Sequence, residues 1–172
     1  MRTPVINAAL FVVGVIACLI GGPGLWLAGA LVAVHVFWLS SWRAEGKLLI
    51  SVMLLGCALD SFALHIGLFD YGKLQRLAPV EHALLWLLLA TTLNHCLAFT
   101  AQPAWRASLA GTLIAPAFYG ALHQFNGLHS SLATGLMLMV MSALWALLWP
   151  LLHGFARLYR EQYRQYLAQL RQ

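Results

Sequence analysis

The sequence predicts an all-α membrane protein: a six-transmembrane-helix bundle with a C-terminal amphipathic helix. Three observations carry that reading. Of 172 residues, 62% are hydrophobic and 9% charged, with a mean hydropathy of +0.79. A soluble domain carries about 25% charged residues, and a sphere this small cannot hide so much apolar surface. The apolar residues also fall into six runs parted by Gly, Pro or charged clusters, and the segment after Gly154 changes to interleaved arginines and aromatics.

The elements follow in order. Span one, Val5–Ile20, stops at Gly21-Gly22-Pro23-Gly24, and span two, Leu25–Ser41, stops at the polar stretch Trp42–Lys47. Both are near the short limit of about 17 residues for a crossing, and the glycine turn makes them a tight hairpin. Val15-Ile16-Ala17-Cys18 resembles a lipoprotein processing site. The run continues through Leu19-Ile20 and five more spans follow, so the first run is read as an uncleaved span. Spans three to six are Leu48–Phe69, Val80–Phe99, Ala104–Leu122 and Leu132–Leu152. In span five, Ala107, Gly111 and Ala115 offer a small-residue face for close helix approach, and Pro116 should kink the helix beyond it. Residues 1–154 thus form the bundle and 155–172 a tail. In the tail, Phe155, Leu158, Tyr159, Tyr163, Tyr166, Leu167 and Leu170 recur at helical spacing opposite arginines, as in a helix lying among headgroups.

Orientation comes from Lys and Arg in short connections. Arg2, Arg43, Lys47, Arg106, Arg157, Arg160, Arg164 and Arg171 fall on one side, and only Lys73 and Arg76 on the other. Both termini are therefore expected in the cytoplasm of a multi-pass bacterial inner-membrane protein. The net charge of +5 is explained by the same residues meeting anionic lipid, not nucleic acid. The expected partner is the lipid bilayer, with a membrane-protein partner as a further possibility for the tail. Three cysteines, Cys18, Cys57 and Cys96, all inside apolar runs, make no disulfide framework.

Asp60, inside span three, is the leading candidate for chemistry, because a carboxylate at bilayer depth needs a partner, a proton or a cavity. It is open as a proton carrier, a counter-charge to His35 or His65, or a neutral packing acid. Depth arithmetic makes Thr91 and His35 its first expected partners within the group Thr91–His95 and His35. A second set gathers at the outer end: His65, His82, His123 and His129 with Asp70 and Glu81, beside Tyr119 and Asn126. These groups suit a metal, with His82, His123 and His129 as ligands, or acid–base work, or simple interfacial anchoring. Deeper in, Thr91, Thr92, Asn94 and His95 must find partners. His35 and His95 also raise bis-imidazole ligation of a b-type haem.

The stretch Ala83–Phe99, ALLWLLLATTLNHCLAF, resembles the signature of an uncharacterised bacterial inner-membrane family, domain of unknown function 2878. Asn7, Cys18, Glu45, Gly56, Asp60, Tyr71, Pro79, Gly111, Tyr119, Trp145 and Pro150 are similar to it as well, so the resemblance covers nearly the whole chain. One departure is Ala115-Pro116-Ala117-Phe118-Tyr119, which keeps the proline and tyrosine of a family turn but not its serine. The resemblance brings no established activity. Through lipid-modifying methyltransferases encoded near family members, it implies a lipid or fatty-acid context.

The leading functional expectation is an accessory protein or small enzyme of membrane-lipid modification, with Asp60, Asn94, His95 and Tyr119 as its catalytic residues. A non-catalytic scaffold or small-solute carrier is the alternative, and a haem-binding electron carrier the second. The sequence specifies no cofactor.

Overall fold

The computed structural model describes residues 2–70, 77–125 and 128–171. Tyr71, Lys73, Arg76 and Asn126 lie outside the described residues. The described chain forms α1 (Arg2–Ile20), α2 (Gly24–Val34), α3 (Trp42–His65), α4 (Val80–Thr92), α5 (Ala104–Phe125) and α6 (Thr134–Gln169). A two-residue antiparallel bridge joins β1 (Phe69–Asp70) to β2 (His129–Ser130). The architecture is all-α. Three of these helices, α1, α3 and α6, are long and apolar enough to cross a membrane. The apolar segment Gly24–Leu39 and α4 are shorter. Helix α5 has 22 residues and carries Arg106, Ser108, Thr112, His123 and Gln124.

Local chemistry explains the breaks. Gly21 and Gly22 take positive φ angles of 71° and 52°, which reverse α1 into α2 without a Cβ penalty. Helix α2 then widens into a π turn, His35–Leu39, closed by the Ser40 N–H donating to the His35 carbonyl at 3.0 Å. Ser41 caps α3, its Oγ accepting from the Ala44 N–H at 3.3 Å. The helix therefore starts at Trp42, within the polar stretch expected to be a connection, and Glu45 lies inside its first turns. Helix α4 stops at Thr92. The hydroxyls of Thr91 and Thr92 donate back to the carbonyls of Leu88 (2.7 Å) and Leu89 (2.6 Å), a local alternative to continued helix. Residues 93–97 follow as turns before a short 3-10 helix, Ala98–Thr100.

The buried stripe of α3 runs Glu45, Leu49, Val52, Gly56, Asp60, Ala63, and α3 packs chiefly on α4. A Cβ on Gly56 would overlap the Trp86 indole, so only glycine lets that ring lie against the α3 backbone. Helix α5 presents its small face, Ala107, Gly111 and Ala115, to the large stripe Met137, Met141, Trp145 and Trp149 of α6. Small against large is how two antiparallel helices approach closely.

The tail expected as a separate helix is the continuation of α6. The helix runs 36 residues through Pro150 and Gly154 without a break, about 54 Å against a hydrocarbon thickness of about 30 Å. Its apolar side, Phe155, Tyr159, Tyr163 and Leu167, is half-buried while the arginines are exposed. The Tyr159 hydroxyl meets the Ser51 hydroxyl at 2.7 Å, so the first turns of the tail dock on α3.

Candidate functional sites on two buried carboxylates

Asp60 and Glu45 project from one stripe of α3, fifteen residues and about 22 Å apart. They are 4% and 5% exposed, and each organises a separate polar nest.

Asp60 faces the interior, as its desolvation cost requires. Its partners differ from those expected. Neither Thr91–His95 nor His35 holds it. Trp86 donates its Nε1–H to Asp60 Oδ2 at 2.7 Å, and His82 Nδ1 lies 2.9 Å from the same oxygen. The Tyr119 hydroxyl donates to Oδ1 at 3.4 Å. The reason is antiparallel packing: the C-terminal half of α3 meets the N-terminal half of α4, where His82 and Trp86 sit one turn apart on one face. With the carboxylate ionised, His82 donates from Nδ1, an imidazole–carboxylate pairing of the kind that orients a proton-transferring histidine. Tyr119 is fixed by stacking on Phe69 (5.4 Å) and edge contact with Trp145 (6.2 Å), and Trp145 stacks on Trp86 (5.3 Å).

Beside this nest runs an apolar groove of about 370 Å³ between α3 and α6. Asp60, Trp86 and Tyr119 line it, together with the exposed apolar residues Phe62, Leu144 and Leu147. A smaller cavity of about 40 Å³ touches both Asp60 and His82, room enough for a water.

Glu45 is the residue sequence reasoning missed as a site. Its Oε2 lies 2.8 Å from His35 Nε2. Its Oε1 lies 3.0 Å from His95 Nε2 and accepts from Asn94 Nδ2 at 3.2 Å. Two backbone irregularities deliver these partners: the π turn starts at His35, and the unwound end of α4 carries Asn94 and His95. Backbone groups released by such irregularities must find other partners when they are buried. Asn7 of α1 closes the nest. Its Nδ2 donates to the Thr91 carbonyl (3.2 Å), and its Oδ1 accepts from the Cys96 N–H (3.3 Å). Those two backbone groups fix the amide's orientation, so Nδ2 also donates to His35 Nδ1 at 3.1 Å. His35 is then neutral, with its proton on Nε2, donated to Glu45.

The four residues expected to act together therefore divide. Asp60 and Tyr119 share one nest, while Asn94 and His95 belong to Glu45. The expected metal trio does not form among the described residues, where the convergent donor set is His35, Glu45 and His95. His82 is engaged by Asp60. His123 and His129 stand edge to face at 6.4 Å, and His123 Nδ1 is 2.6 Å from the Leu128 carbonyl, to which it donates. The bis-imidazole haem arrangement does not form either. The His35 and His95 rings are 4.9 Å apart, nearly perpendicular, and both turn Nε2 onto Glu45, leaving no place for a macrocycle between them.

Residues 4–151 match the family described as Protein of unknown function (DUF2878). The chain belongs to that family. No curated protein and no solved structure matches it. Both nests lie wholly within the DUF2878 match, while the whole of the tail lies beyond it. Within this DUF2878 chain, Asn7, Glu45 and Asn94-His95, which the sequence comparison singled out separately, meet in one nest.

Proposed function

We propose that this protein takes an acyl chain of a membrane lipid into the groove between α3 and α6 and acts on it, or presents it to a partner, at Asp60, His82 and Tyr119. The observation that carries this reading is the coincidence of an apolar groove with a buried carboxylate in its wall. Apolar lining with a few convergent polar groups is the usual make-up of a ligand site. A groove rimmed by lipid-facing Phe62, Leu144 and Leu147 admits its ligand sideways from the bilayer. The lipid context implied by the family resemblance points the same way. In this reading the chain crosses a bacterial inner membrane six times with both termini cytoplasmic, the topology its basic residues favour.

Native mass spectrometry of the purified full chain tests the binding. The wild type should retain a phospholipid or fatty acid on gentle detergent removal. Leu144→Trp, at the groove rim, should lose it. Equal retention by both would remove the groove from the account. Fusions after Gln172 should give fluorescent green fluorescent protein and inactive alkaline phosphatase; active phosphatase there would overturn the topology.

A further inference from the structure

We propose that His35, Glu45 and His95 form a binding site for one divalent transition-metal ion, zinc or iron(II), with an open coordination position beside Asn94. Their donor atoms all lie within 4.8 Å of one another. Modest rotation of two imidazoles brings them to the bond lengths of about 2.0–2.2 Å that such ions take from histidine and carboxylate. Two histidines and one carboxylate are the protein ligands of open-site zinc enzymes and of non-haem iron oxygenases.

Three features separate this nest from an ordinary buried hydrogen-bond cluster. The first is its construction: α1, the π turn, α3 and the unwound end of α4 all contribute, and both helix irregularities place a histidine on the same carboxylate. The second is Asn94 Oδ1, the one buried side-chain polar atom without a hydrogen-bond partner among the described residues. An unpaired buried acceptor calls for a donor, and a water on the open position of a bound metal supplies one. The third is access. The three ligands do not line it themselves, but Asn94 borders a cleft of about 360 Å³ shared with His153, Arg157 and Arg160, so the approach to the open position runs past Asn94. The two arginines suit an anionic ligand approaching the open position.

Metal binding and the present hydrogen bonds are alternatives. The ion takes the place of the Nε2 protons that His35 and His95 donate to Glu45, and each proton moves to Nδ1 of its own ring. Asn7 must then turn its amide so that Oδ1 accepts from His35 Nδ1–H, giving up its bonds to the Thr91 carbonyl and the Cys96 N–H. With the two imidazole–carboxylate hydrogen bonds of Glu45, four hydrogen bonds are exchanged for three metal–ligand bonds, and metal–ligand bonding is the stronger term.

The full chain, purified in detergent without chelator and then loaded with zinc sulfate or, anaerobically, with ferrous sulfate, tests the site by elemental analysis and thermal shift. About one ion per chain should be retained through desalting, and the preferred ion should raise the melting temperature. Cobalt(II) in its place should give visible ligand-field absorption. His95→Ala, at a partly exposed ligand, should fold and lose affinity by about 100-fold or more, since even outer-shell changes reach that range. Glu45→Gln should also lose the ion, and the double substitution His123→Ala with His129→Ala should keep it. Failure of the wild type to retain either ion, or undiminished retention by His95→Ala, would overturn the proposal.

Discussion

Glu45 and Asp60 occupy one stripe of one helix and are equally buried, yet their surroundings are built on opposite plans. Glu45 accepts three hydrogen bonds, from two histidines and an asparagine, and the backbone abandons regular helix twice to supply them. Asp60 is served by regular helices. Two donors from α4 crowd one oxygen, the other has a single long contact, and an apolar groove opens alongside. A carboxylate held at short range on both oxygens and enclosed by polar groups is arranged to hold something in place. A carboxylate with one loosely held oxygen beside a lipid-facing groove is arranged to meet something that enters.

Substitutions at the two acids should therefore differ in kind. The largest effect is expected at Glu45. In Glu45→Gln the amide nitrogen must face a donor, either the His35 ring or the His95 and Asn94 pair, inside a buried cluster. Each buried donor left without an acceptor costs about 1–3 kcal/mol, and the loss of the carboxylate affects three of them, which should appear as a clear fall in thermal unfolding temperature in detergent. A cost near that of Asp60→Asn would erase the contrast.

Gly56→Ala comes next. The new methyl pushes the Trp86 indole off α3 and away from Asp60, and overpacking of this kind costs about 1–3 kcal/mol. Near-ultraviolet circular dichroism should change with it, because Trp86 stacks on Trp145. An unchanged spectrum would mean that the two helices separate freely at this point.

Asp60→Asn should cost only about 1 kcal/mol, because the amide carbonyl still accepts from Trp86. Its effect should fall instead on whatever is done to the bound chain, so lipid should be retained and its chemical processing lost. The smallest change is Tyr119→Phe. It removes a 3.4 Å hydrogen bond and leaves the ring stacking intact, so unfolding should shift by less than about 1 kcal/mol.

Much of this was legible in the sequence. The all-α bundle, the glycine hairpin, the small face of α5 and the inward turn of Asp60 follow from hydropathy, residue size and the cost of burying charge. The partners of Asp60 did not follow. Counting depth from span ends treats Val80–Phe99 as one straight crossing and so puts Thr91 nearer to Asp60 than Asn94. The helix in fact ends at Thr92, where two threonines bond backwards, and its first half lies against Asp60. Glu45 was hidden for a related reason. Trp42–Lys47 looks like a polar connection, and only the Ser41 cap places it inside a helix. The available signal was a capping serine ahead of an acidic residue, joined to the resemblance that marked Asn7, Glu45 and Asn94-His95. The pairing of His82 with Asp60 spans 22 residues with no repeating pattern, so packing alone reveals it.

The contrast between the two nests turns on what enters the groove. A fatty acid carrying a diazirine along its chain, fed to cells and activated by light, reports that directly through the peptides it labels. Label should concentrate on peptides containing Phe62, Leu144 and Leu147 and fall in Leu144→Trp, with Asp60→Asn labelled like the wild type. Label spread evenly over Val12, Val13 and Ile16, which are also exposed on α1, would show that the groove is no different from the rest of the apolar surface.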